Sequence, residues 1–278
     1  MENLSKCINL TKEKSLYLAK AINQIGHRFN GRKISRINEF FIILLNRLMC
    51  NLYSISVLLE KYEHQPISSS ISLLFRSCIS DMVIGFYLLT FNKNKTTLET
   101  EIRVLDASFL KYIKKVYPIE QELLSKDKDE ANKKINKFEK FLKQQFKELL
   151  DDENDFKVLT SKKIRDKFGT NKKSFQGELY KSNLTEEKMF EHLIAIGNVP
   201  FKSMYDYYRL YSQFQHFTYA GKELLQLSKS DYLYYFIHTL LLCYDFVITV
   251  NSEILYIEDN ELKQNREELI DTFKNYKK

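Results

Sequence analysis

The sequence predicts an all-α fold, an antiparallel bundle of long helices with a charged, more exposed middle segment. Glycine and proline are scarce, 7 and 3 in 278 residues, whereas a sheet-containing chain of this length needs turn residues. Strong helix formers such as Leu, Lys and Glu are abundant. Apolar residues also recur three and four apart in nearly every segment. Hydrophobic residues make up 44% and charged residues 28%, which excludes wholesale disorder, and the chain is long enough to bury a substantial core.

The first helix is predicted over 11–25, where Leu16, Ala19, Ile22 and Ile25 follow the helical period. Gly26, Asn30 and Gly31 mark a break. A long helix over 34–62 follows, dense in Phe41, Leu44, Leu48, Leu52, Ile55 and Leu59. Pro66 suits the first turn of the next helix, which runs through Leu74 and Cys78 to about Phe91. Both helices are apolar around much of their circumference, so they belong in the interior, and their short connection makes them antiparallel neighbours.

Beyond Asn94 the composition shifts. Residues 97–117 carry Leu98, Ile102, Leu105, Phe109 and Ile113 on one stripe. Residues 128–150 place Ala131, Ile135, Phe138, Leu142 and Leu149 on one side and lysines around the rest. Residues 151–177 read as a charged loop or insertion with one short helix near 161–168. Helical pattern resumes over 185–196, with Asn183 or Thr185 as cap, then in the Tyr- and Phe-rich 201–217, with Gly221 near its end. The apolar 231–257 and a polar terminal helix over 261–276 complete the order. No internal repeat is present. The expected organisation is one domain over 1–278, with 118–182 as its charged insertion.

The net charge of +7 is compatible with an anionic partner such as RNA or a membrane surface. The excess of Lys over Arg, with abundant Asn, Ile, Phe and Tyr and no Trp, is equally what an AT-rich genome encodes. Cys7, Cys50, Cys78 and Cys243 lie far apart with no metal-binding spacing. Residues 1–14 are polar, without the apolar stretch of a signal peptide. A cytoplasmic location is the expectation. Residues 232–250 are long enough to cross a bilayer, but they contain His238 and Asp245, and their tyrosines do not gather at the ends. The segment reads as a buried core helix, and no transmembrane segment is expected.

Two polar constellations interrupt apolar sequence. In Tyr208-Arg209-Leu-Tyr-Ser212-Gln-Phe-Gln-His216, Arg209 and His216 are seven apart, so on a helix they differ in direction by only about 20°. Ser212 lies between them. A cation, a hydroxyl and an imidazole along two turns can hold a phosphate, Arg giving a fork of donors and His a proton that titrates near neutrality. The second is Arg76, in Ser72-Leu-Leu-Phe-Arg76-Ser77-Cys-Ile-Ser80-Asp81. It needs partners, because an unpaired buried charge is costly. Asp81, Asp206, Asp245 or a bound anion could serve. His192 and His238 read as packed core or boundary residues, while His27 and His64 fall in breaks. No HExxH, P-loop or dinucleotide-binding turn is present, so neither metal nor cofactor is expected.

The Leu-Leu-x-Arg-Ser run at Leu73–Ser77 and the downstream Tyr-Arg-x-x-Ser-x-x-x-His resemble a bacterial family of uncharacterised all-helical proteins. The resemblance covers about residues 35–255. This chain departs from it at Ser80, where the family places a glutamate, and Asp81 follows on a different helix face. The Arg209–His216 spacing is also similar to the signature of HEPN ribonucleases, although Leu210 stands where a polar residue often follows the arginine. That similarity implies metal-independent RNA cleavage of a toxin or defence type, with His216 as general acid/base, Arg209 stabilising phosphate charge, Arg76 and Ser212 as binding residues, and a homodimer sharing the site. The alternative is a non-enzymatic interaction module in which Arg76, Arg209, Ser212 and His216 form a buried network that fixes helix register. A third reading is peripheral membrane binding through the lysine-rich 128–173.

Overall fold

The computed structural model describes residues 2–64, 67–151, 157–170, 177–197, 199–213 and 227–276. Eleven α-helices and no strand are present among them: α1 (Glu2–Phe29), α2 (Arg36–Leu59), α3 (Ser68–Leu89), α4 (Lys95–Leu124), α5 (Lys128–Gln145), α6 (Ser161–Phe168), α7 (Gly177–Lys181), α8 (Glu186–Ala195), α9 (Val199–Ser212), α10 (Lys229–Val250) and α11 (Asn260–Tyr276). The fold is all-α. Several helices begin where the sequence supplies a hydrogen-bonding cap. The Ser35, Asn94, Asp127 and Thr160 side chains accept from the first turns of α2, α4, α5 and α6. Ser228 and Asp231 form a reciprocal capping box on α10. The predicted helix-opening Pro66 and the break at Gly221 lie outside the described residues.

The chain divides into two compact units. The first comprises Met1–Asn92 and Met189–Lys278, the second Lys93–Lys188. In the first, α1, α2, α3 and α10 pack as a bundle. Its core joins Leu18 and Ile22 of α1, Phe41, Leu48 and Ile55 of α2, Phe75 and Ile79 of α3, and Phe236, Leu240 and Phe246 of α10, all nearly or fully buried. Gly85 is what lets α3 approach α10, since a β-carbon there would stand 2.3 Å from the Phe246 ring. One π-helical turn, Asn251–Leu255, ends α10, and Tyr256 leaves it in the left-handed region with φ 54°.

In the second unit, α5 packs against the outer half of α4, with Tyr117 stacked on Phe138 at 4.0 Å. The helix α4 continues through Pro118 to Leu124. Beneath its inner half, Arg165 of α6 and Glu101 of α4 are both fully buried and bonded through two contacts of 2.8 and 2.7 Å. Arg165 Nη1 also donates to the Leu179 and Tyr180 carbonyls at 2.7 and 2.8 Å. This fork ties α4, α6 and α7 together.

The expectation of no transmembrane segment is contradicted by three helices. Arg36–Leu59, Ser68–Leu89 and Lys229–Leu255 are each long and apolar enough to do so, with mean hydropathy 1.7, 1.5 and 1.6 over their most apolar stretches. Residues 232–250 carry His238 and Asp245, yet one imidazole and one carboxylate do not offset the surrounding Leu, Ile, Val and Phe. Burial accounts for 39%, 61% and 56% of those stretches, and the rest includes the outward Ile43 and Val57 of α2.

Candidate functional site

Arg76 sits midway along α3, between the fully buried Phe75 and Cys78. Its backbone position follows from the apolar stripe, so its long side chain emerges half-buried toward α9. On α9 the residues four apart, Tyr208 and Ser212, share the face that α3 meets. Arg76 Nε donates to Ser212 Oγ at 2.9 Å, and Arg76 Nη2 donates to the Tyr208 hydroxyl at 3.0 Å. The guanidinium also lies 4.8 Å from the centre of the Tyr208 ring. Ser212 Oγ in turn donates to the Tyr208 carbonyl at 2.7 Å, which turns its lone pairs toward the arginine.

Aromatic packing fixes this arrangement. Phe75 stacks on Tyr211 and on Phe236, with ring centres 6.3 and 5.3 Å apart. The Tyr211 hydroxyl meets Thr239 Oγ1 at 2.9 Å, and burial pushes its phenol well above the usual range. Phe190 of α8 closes on the rings of Tyr205 and Tyr208 at 4.9 and 5.4 Å. Tyr208 is thus clamped between Phe190 and the guanidinium.

Arg76 has no carboxylate partner among the described residues. Each carboxylate proposed for it is placed elsewhere. Asp81 is fully buried and pairs with Arg47 at 3.0 Å, Asp245 pairs with Arg266, and Asp206 is exposed. Among the described residues, two of the five guanidinium N–H groups of Arg76 find acceptors, both of them neutral hydroxyls.

The structure therefore brings Arg76 and Ser212 together. Arg209 is exposed, its guanidinium 5.9 Å from the Tyr205 ring. Three residues from Ser212, it stands about 60° around the helix, enough to carry it off the face that α3 covers. His216 lies outside the described residues. Tyr208 was missed as a partner by the sequence reading; its spacing of four from Ser212 is the signal that could have found it.

His192 meets Thr90 Oγ1 at 3.2 Å and stacks on Phe91, while His238 packs among Tyr207, Tyr234 and Phe273. No group of three His, Cys, Asp or Glu side chains among the described residues could hold a metal. No family model, curated protein or solved structure matches the chain.

Proposed function

We propose that the Arg76–Tyr208–Ser212 cluster holds the phosphate of an RNA strand, and that the chain cleaves RNA without a metal. His216 takes the proton of the ribose 2′-hydroxyl or protonates the leaving oxygen. The observation that carries this reading is Arg76, a half-buried guanidinium whose partners among the described residues are neutral. A charge withdrawn from water without an opposite charge is unfavourable, and a phosphate both neutralises it and fits the planar fork.

A second reading is favoured by the same two hydrogen bonds. They join α3 to α9 and set the register between them, as a structural polar network in a non-enzymatic helical module does. Cleavage of labelled single-stranded RNA separates the two. The enzymatic reading expects cleavage by the wild type that persists in EDTA and disappears in His216→Ala with the circular dichroism unchanged. Wild type and His216→Ala equally inert on RNA would leave the network a structural one.

A further inference from the structure

The outer half of α4 carries an apolar seam that the described residues of the second unit leave largely uncovered. Phe109, Tyr112, Val116, Ile119 and Leu123 are spaced three and four apart alternately, which is the a/d pattern of a coiled coil. Four of them are largely open to solvent, Phe109 at 65%, Tyr112 at 59%, Ile119 at 58% and Leu123 at 79%. The helix does not need this stripe for its own packing, since Leu98, Ile102, Val104, Ala107 and Leu110 bury its inner half and Tyr117 packs on α5. Scattered exposed apolar residues are ordinary; a continuous seam over two heptads is not.

From this we infer that α4 pairs in parallel with α4 of a second copy of the chain. The flanking charges select that occupant. With Phe109 at position a, Lys115 falls at g and Glu120 at e of the next heptad, and both are exposed. In a parallel homodimer each Lys115 meets Glu120 of the second copy, twice over by symmetry. An antiparallel pairing that used the whole seam would instead set Lys115 against its own copy. A helix of unrelated sequence, or a bilayer, gives no reason for this complementarity. The inference is independent of the Arg76 cluster, which lies in the other unit.

The test uses the full chain with Cys50→Ser, which removes the one exposed cysteine among the described residues. Ile119→Cys is expected to form a disulfide dimer on mild oxidation, whereas Gln121→Cys, at the outward f position, stays monomeric. By light scattering the parent is a dimer and Ile119→Lys/Leu123→Lys a monomer with the same helical circular dichroism. Lys115→Glu weakens the dimer about fivefold or more, and adding Glu120→Lys restores it. A monomeric parent, a dimer indifferent to the two lysines, or a monomer that floats with anionic vesicles through this seam would overturn the inference.

Discussion

A guanidinium stays charged at every pH a cell meets, so its neighbours decide what burying it costs. Arg165 is fully buried against Glu101 and two carbonyls. Removing one partner leaves a buried charge uncompensated, so Arg165→Met should destabilise the second unit by about 3–5 kcal/mol. Adding Glu101→Leu should recover much of that loss, and thermal melting of the two variants checks it; equal melting of wild type and Arg165→Met would place Arg165 in solvent. At Arg76 the partners are neutral hydroxyls. Ser212→Ala should cost about 1.5–3 kcal/mol in denaturant titration, as for a hydrogen bond to a charged group, with a larger loss pointing to a role for Ser212 beyond this bond. Arg76 was legible in the sequence because it interrupts an apolar run. The Glu101–Arg165 pair was not, since its members lie 64 residues apart on segments whose polar residues look like surface.

Among the elements, α2, α3 and α10 were legible because three interior helices need apolar residues on most sides, and such runs stand out. Boundaries were less so. The first helix begins at Glu2, nine residues before the predicted start, because its polar opening hides Cys7 and Ile8, both buried. The helix predicted over 97–117 continues through Pro118 to Leu124, and residues 214–217 of the segment predicted as 201–217 lie outside the described residues. The close crossing of α3 and α10 gives a sharp prediction. Gly85→Ala should cost about 1–3 kcal/mol, read as a lowered melting temperature, because the fully buried Phe246 ring has little room to yield. A pH effect belongs to α1 and α11. Lys14 of α1 donates to Glu268 at 2.5 Å and to Asn265 at 2.7 Å, and the Lys14 ammonium holds the Glu268 carboxyl below its ordinary value. A depressed carboxyl stabilises the fold above its ordinary pKa and loses that contribution as pH falls through the folded value. Glu268→Gln should therefore flatten the acid limb of the melting profile below about pH 4.5, where the unfolded carboxyl takes up its proton; an unchanged limb would remove the pair from the balance.

At the scale of the whole molecule, composition announced an all-α chain, whereas the division into two units was hidden because no Gly- or Pro-rich linker marks Lys93 or Lys188. The net charge of +7 supplies a long-range attraction for a polyanion, and Arg76 supplies the point where a phosphate would be fixed. Those two scales make separable contributions to binding. The diffuse charge should weaken with salt at every sequence and in every variant, while the contact at Arg76 should depend on that residue alone. The most direct measurement is fluorescence anisotropy of a labelled single-stranded RNA titrated with wild type and with Arg76→Met at fixed salt. If the cluster holds a phosphate, Arg76→Met should weaken binding by about tenfold or more, the value of one charge-assisted contact, with its melting temperature still above the assay temperature. Indistinguishable titrations for the two proteins would contradict a phosphate at Arg76.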